Sequence, residues 1–402
     1  MERQHRTVVV LAGCQAALQT VTTTVMAATG LAGLALANDK SLATLPITCF
    51  VLGSATMTIP ASLLMGAAGR RAGFQVGAGA GAVGAVLCAY AMYRASFGLL
   101  CAGMIVLGMH AAFGSYYRFA AADSAKADFR AKAISLTLGG GIVGGFLGPD
   151  LANRTAGVFS GHAYLGTYLV LAAVCLAAAL GLMCLNIPRA APQDHRQSTR
   201  PLRHILKQPV FIVAALASML SYGVMNLMMT STPLAMHAYQ HHFRDTAFVL
   251  QWHMIAMFAP SFFTGALIQR FGVLNVIMSG AVLLLVCVTV AIGGTGLGNF
   301  WVALVLLGAG WNFMYIGGSA LLGECHTPAE RIKAEAAVSF MVFATMAVSS
   351  ASSGLLLHRS GWQAVIYASI PLVLVAMAST ARLILQRRTE HQGGPLADSN
   401  RA

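Results

Sequence analysis

An all-α integral membrane fold is predicted: twelve transmembrane helices in two pseudo-symmetric six-helix bundles around a central cavity. Three observations predict it. The 402-residue chain is 57% hydrophobic and only 9% charged. A soluble domain carries about 25% charged residues, so this chain cannot cover a water-facing surface in the ordinary way. Apolar runs of about 20 residues, long enough to cross a bilayer, recur from end to end. One stretch also occurs twice. Gly108, Phe113, Asp123, Arg130, Lys132 and Ala133 return about 200 residues later as Gly308, Phe313, Glu324, Arg331, Lys333 and Ala334. Each copy is an apolar helix closed by an acid, then a basic pair that opens the next apolar helix. A repeat near half the chain length suggests two bundles around a shared site.

The twelve segments are expected at 8–35, 42–65, 72–93, 96–119, 132–152, 163–186, 210–235, 246–268, 273–293, 298–322, 334–357 and 362–386. The first follows a basic stretch, Met1 to Arg6. It is far longer than the apolar core of a signal peptide, about 7–15 residues, so it reads as an uncleaved membrane helix. Residues 1–187 then form the N-terminal bundle and 210–386 the C-terminal one. The longest polar stretch, 188–209, is the expected linker, and 387–402 the expected tail.

Charge orients the chain. An even number of spans puts both termini on one side. Of the 25 Lys and Arg, only Lys40, Arg94, Arg154, Arg244 and Arg359 fall on the other. Basic residues stay in the cytoplasm, so both termini are expected there, in a multi-pass protein of the cytoplasmic (inner) membrane. The net charge of +13 is thereby an orientation signal and needs no nucleic-acid partner.

Other residue types narrow the chemistry. The eight cysteines lie in or beside apolar runs with no CxxC pair, and read as packing residues, neither disulfides nor metal ligands. No GxxxxGK phosphate loop supports ATP-driven pumping. No positioned nucleophile or acid–base pair suggests an enzyme. No cofactor or metal is expected, and a monomer in the lipid bilayer is. Gly77, Gly81 and Gly84, and Gly140, Gly144 and Gly148, form small-residue ladders that let helix backbones approach closely. They serve static packing or a sliding face.

Here the chain resembles a known family. Residues Ser62 to Arg71 end in Gly69-Arg70-Arg71, and the second half offers Gly265, Arg270, Phe271 and Gly272. With twelve helices in two repeats, this looks like the major facilitator superfamily and its signature loop, roughly G-x-x-x-D-R-x-G-R-R. Gly66, Ala67 and Gln269 replace the family's charged positions, so each half keeps a different part. Gly144-xxx-Gly148-Pro149 is similar to the family's antiporter motif without its trailing glycines. The resemblance implies that helices 1, 4, 7 and 10 line the cavity. It also implies a charge latch that holds the outward-open state. Arg70, Arg71, Asp123, Arg130, Arg270, Glu324 and Arg331 are its expected members.

Polar groups inside the membrane are the candidates for a site. On the four cavity helices these are Gln15 and Gln19, His110, Tyr222 and Asn226, and Trp311, Asn312 and Tyr315. At ~1.5 Å per residue, Gln19 lies ~18 Å from the start of segment 1, and His110 ~21 Å from the outer end of segment 4. Both are near mid-membrane. The bland alternative is hydrogen bonding between helices. Amides, hydroxyls and rings suit an uncharged or zwitterionic, planar organic solute, with vitamins, metal chelates and neutral toxicants all open. Ion coupling, if by protons, needs a group titrating near neutrality. His110, His253 and Asp150 are the candidates. The partial antiporter motif implies proton antiport, hence export. An uncoupled facilitator or an importer of a vitamin- or chelate-like nutrient is the alternative, and a transporter-like receptor a third class.

Overall fold

The computed structural model describes residues 2–126, 129–185, 200–327 and 330–392. In lipid every backbone N–H and C=O must find a partner within the protein, and helices satisfy that requirement residue by residue. The first half comprises α1 (Glu2–Leu36), α2 (Leu45–Ala68), α3 (Arg70–Tyr93), α4 (Phe97–Gly114, continued by Tyr117–Asp123), α5 (Arg130–Thr155) and α6 (Leu165–Met183). The second comprises α7 (Pro209–Ala238), α8 (Phe243–Phe258, continued by Ser261–Phe271), α9 (Val273–Ile292) and α10 (Leu297–Leu322). The last helical element, Arg331–Gln392, is folded in two at Gly361, whose φ is 76°. It supplies α11 (331–360) and α12 (362–392).

Nine described helices are long and apolar enough to cross a membrane, or ten with the two pieces of α8, bent by 43°, taken as one span. Gly361 divides one of those nine into two spans. The remaining span is α5, whose hydropathy is diluted by Gly139, Gly140, Gly141, Gly144, Gly145 and Gly148. Twelve helices follow among the described residues. Most of the expected linker, up to residue 199, lies outside them, as does the tail beyond 392. Arg387, expected in the tail, is still helical.

The duplication survives as backbone geometry. The α2–α3 junction is Gly69, at φ 92° and ψ 154°; the α8–α9 junction is Gly272, at φ 84° and ψ 149°. Glycine alone adopts that region readily, so both signature loops turn on the same residue type at the same place in the repeat.

The glycine ladders are close helix contacts. A Cβ on Gly144 would lie 2.0 Å from the Ala16 carbonyl oxygen, and one on Gly140 2.1 Å from that of Ala12. Thus α5 lies backbone to backbone on α1. Thr23 and Thr24 reinforce the contact by donating to the Gly144 and Gly148 carbonyls, at 3.3 and 2.9 Å. Gly77, Gly81 and Gly84 seat Phe113, His110 and Leu107 of α4 against α3 in the same way. All eight cysteines are free thiols, and five of them are buried.

Between the halves, Thr44 donates to the Ser350 carbonyl at 2.9 Å and Thr48 to the Ser350 hydroxyl at 3.0 Å, joining α2 to α11. Gln251 of α8 donates to the Phe146 carbonyl of α5 at 2.9 Å. These bonds lie in the part of the molecule away from the face that carries both ends of the chain, the basic face. In the halves of α1 and α10 nearer the basic face, and at the end of α4, Gly13, Ser319 and Ser115 are exposed.

Candidate functional site

Three rings form the centre of the inner wall. Tyr222 of α7 meets Trp311 and Tyr315 of α10 edge to face, both at 5.0 Å, and Trp311 stacks on Tyr315, also at 5.0 Å. Helical spacing explains the pair on α10, since residues four apart share a face. At ~1.5 Å per residue Tyr222 lies ~20 Å from the start of α7 and Trp311 ~21 Å from the start of α10, so the trio sits at mid-depth. Trp311 is only 5% exposed, and its indole N–H is buried without an acceptor. Tyr222 and Tyr315 are partly exposed. The tyrosines therefore present the rings, and the indole backs them.

Gln15 and Gln19 of α1 are partly exposed as well, and neither side chain has a hydrogen-bond partner among the described residues. Gln15 packs beside Gly141. An accessible amide with nothing to bond is available to a solute, whereas buried polar groups are normally satisfied by the protein.

The other candidates are not brought to this group. Asn226 is 2% exposed, and its amide donates to the Met346 carbonyl of α11 at 2.9 Å. Four residues advance a helix by about 400°, and that extra 40° past Tyr222 turns Asn226 into the α7–α11 contact. Asn312 directly follows Trp311, so it points about 100° away. It is fully buried, donates to the Met257 carbonyl (2.8 Å) and the Ser261 hydroxyl (2.7 Å), and accepts from Thr264 (2.7 Å). It braces the bend in α8. His110 is 1% exposed and turned toward the glycine face of α3, with both ring nitrogens buried and unpaired. His253 is fully buried between α8 and α10, one nitrogen 2.7 Å from the Leu304 carbonyl oxygen. Asp150 is paired with Arg154 one helical turn away, at 2.7 Å. A groove of 410 Å³ near Leu267, Phe271, Asn275 and Phe313 lies apart from the trio and carries no charge.

The expected latch residues form two pairs, each within its own half. Arg70 is bonded to Asp123, closing α3 onto the end of α4. Glu324 pairs at 2.6 Å with Arg387 of α12 and not with Arg270, which stacks on its neighbour Phe271. Arg71 is exposed. The side chains of Arg130 and Arg331 lie outside the described set.

Two charges escaped the sequence reading. Glu330, just before α11, accepts from the Arg200 Nε and a terminal guanidinium nitrogen, both at 2.7 Å, and from the Thr327 backbone N–H at 3.0 Å. The Arg200 hydrogen bonds, then that of Thr327, hold its carboxyl well below the usual range. The signal was there as Thr327-x-x-Glu330, a capping-box spacing ahead of an apolar run. The second is Arg118, near the end of segment 4 and one of the Lys and Arg placed on the cytoplasmic side. It has no carboxylate or hydrogen-bond acceptor among the described residues, and its Nε is buried.

A two-bundle membrane fold with a polar and aromatic inner wall is that of a solute transporter and not of an enzyme. The sequence profile of the Major Facilitator Superfamily matches residues 9–259 and 215–401, and the chain belongs to that superfamily. It is 40% identical to a riboflavin transporter of Brucella anthropi over 375 residues, 93% of this chain and 94% of the relative. It is 30% identical to an uncharacterised transporter of the same superfamily from Bacillus subtilis, over 81% of this chain and 78% of that one. Among solved structures, a D-xylose–proton symporter superposes with a TM-score of 0.74 at 16% identity, covering 92% of this chain and 96% of the other.

Proposed function

We propose that this chain carries riboflavin, or a flavin close to it, across the cytoplasmic membrane by alternating access, with both termini in the cytoplasm. The observation that carries the reading is the mid-depth trio of Tyr222, Trp311 and Tyr315, together with the partly exposed, unpartnered amides of Gln15 and Gln19 on α1. A flat, neutral, heteroatom-rich ring system matches both walls: its face lies on the exposed tyrosines and its edge meets the amides. Stacking of a heterocycle on an aromatic side chain contributes about 1–3 kcal/mol. The 40% identity to a riboflavin transporter supports the same solute.

The proposal takes the direction as uptake, down the solute's own gradient. Proton-coupled export would need a titratable group on the cavity wall. His110 and His253 are turned into helix contacts, and Asp150 is paired with Arg154. The test is riboflavin accumulation by a riboflavin auxotroph expressing the chain, with and without a protonophore. Initial riboflavin uptake over minutes that survives the protonophore is the expected result. Uptake, and growth without protonophore at low riboflavin, no better than with empty vector would refute uptake of riboflavin. Initial uptake abolished by the protonophore would restore proton coupling.

A further inference from the structure

The inner wall carries a cation that the proposed site has not yet used. Arg118 lies in the Tyr117–Asp123 continuation of α4, after the helix breaks at Ser115 and Tyr116. Its guanidinium sits 4.8 Å from the centre of the neighbouring Phe119 ring, and its Nε is buried with no acceptor. Every other described charge treated above has a partner or is exposed. Arg118 is partly exposed at the basic end of α4, with donors that no protein acceptor takes among the described residues; charged residues on the walls of a membrane bundle mark solute pathways.

The duplication says where Arg118 points. On α10, Trp311, Tyr315 and Gly318 form a stripe at i, i+4 and i+7. Trp311 and Tyr315 make the ring wall, and Gly318 touches α7, where an added Cβ would lie 2.6 Å from the Ser218 hydroxyl. One repeat earlier the matching positions are Ala111, Ser115 and Arg118, with the break in α4 falling between the last two. The first half thus replaces two large rings by small residues and the glycine by an arginine. Small residues leave room on that wall, and the arginine stands one turn further toward the basic face.

We propose that Arg118 is a specificity-determining residue of the solute site: it donates two parallel hydrogen bonds to adjoining acceptors on one edge of a planar ring whose face lies on the tyrosines. This rests on the flavin reading above. The edge it would take is the dione edge of the tricyclic ring, which offers a carbonyl oxygen beside a ring nitrogen. A guanidinium fits such an edge with two donors at fixed spacing, whereas an ammonium offers a point charge. Because Arg118 has no acceptor in the protein to lose, its replacement should leave the fold intact.

The experiment uses purified full-length protein in detergent, with binding read by quenching of flavin fluorescence. The probes are riboflavin and lumiflavin, which keeps the same ring with its dione edge and carries a methyl group in place of the ribityl chain. Parent, Arg118→Lys and Arg118→Gln are compared, with thermal midpoints as the folding control. Arg118→Gln should bind both probes at least tenfold more weakly than the parent at an unchanged midpoint, and Arg118→Lys should recover little. Two results overturn the assignment: variants that bind like the parent, or a loss confined to riboflavin, which would place Arg118 on the ribityl chain. A parent that binds neither probe instead overturns the flavin reading, and the assignment falls with it.

Discussion

Asn312→Ala separates a brace from a binding group, because sequence and structure give this residue different work. Read as a cavity residue, its loss should weaken solute binding and leave stability alone. In the folded chain its amide holds the Met257 carbonyl and the Ser261 hydroxyl, both on the bent α8, and accepts from Thr264. Thr264 keeps the Pro260 carbonyl as an alternative partner at 2.8 Å, so its loss is small. The two bonds donated by Asn312 have no such replacement. Interhelical bonds in membranes contribute about 0.6 kcal/mol on average and up to about 1.7. A buried carbonyl left without its partner adds a penalty in the range of about 1–3 kcal/mol. Asn312→Ala should therefore cost about 2 kcal/mol. The thermal midpoint in detergent should fall by several degrees, with riboflavin affinity unchanged at temperatures where the variant is folded. Gln19→Ala is the matched control. Its amide has no partner to lose, so the midpoint should hold. Riboflavin affinity should fall about 3- to 10-fold, as for one hydrogen bond of about 0.5–1.5 kcal/mol. An Asn312→Ala protein with an unmoved midpoint and weakened binding would refute the brace.

Tyr315→Ala should weaken riboflavin binding at least fivefold, while Trp311→Phe, behind it, should have the smaller effect; equal losses would mean that the indole itself meets the solute. Gly144→Val should abolish a monodisperse peak on size exclusion, since even the first added carbon would lie 2.0 Å from the Ala16 carbonyl oxygen; a well-behaved variant would show that α1 and α5 can part. Glu330 titrates below its ordinary range because Arg200 and Thr327 hold its charged form. Its contribution to stability is thus full above the unfolded value of about 4.3 and is lost as pH falls below it. The midpoint difference between parent and Glu330→Gln should be constant from pH 7 to about 5 and shrink in more acid solution; a difference unchanged at pH 3 would remove Glu330 as the cause. Asp123→Asn frees Arg70 and should change cysteine accessibility at the basic face with little change in stability, exposed pairs contributing about 0–1 kcal/mol; unchanged labelling would leave the pair a local tie within its half.

The sequence alone determined the class of fold, and for a simple reason. In lipid the backbone has few options, so length, hydropathy and charge asymmetry fix how many helices there are and how they are threaded. The duplication added the two-bundle plan, and glycine at residues 69 and 272 already marked the turns. Composition also carried the nature of the inner wall, because amides and rings inside a membrane have few roles. What it could not carry was azimuth. Trp311 and Asn312 are adjacent letters, yet a helix sends one to the cavity wall and the other into the α8 bend. Tyr222 and Asn226 share a spacing, yet the second meets α11. The histidines are at the expected depth but turned toward their neighbours, His110 onto the glycine face of α3. Arg118 entered only the count of cytoplasmic-side charges, because a chain position gives depth only to the Cα, and a long side chain can turn either way. Which way each of these residues faces depends on which helices lie beside it, and only the packed tertiary structure decides that.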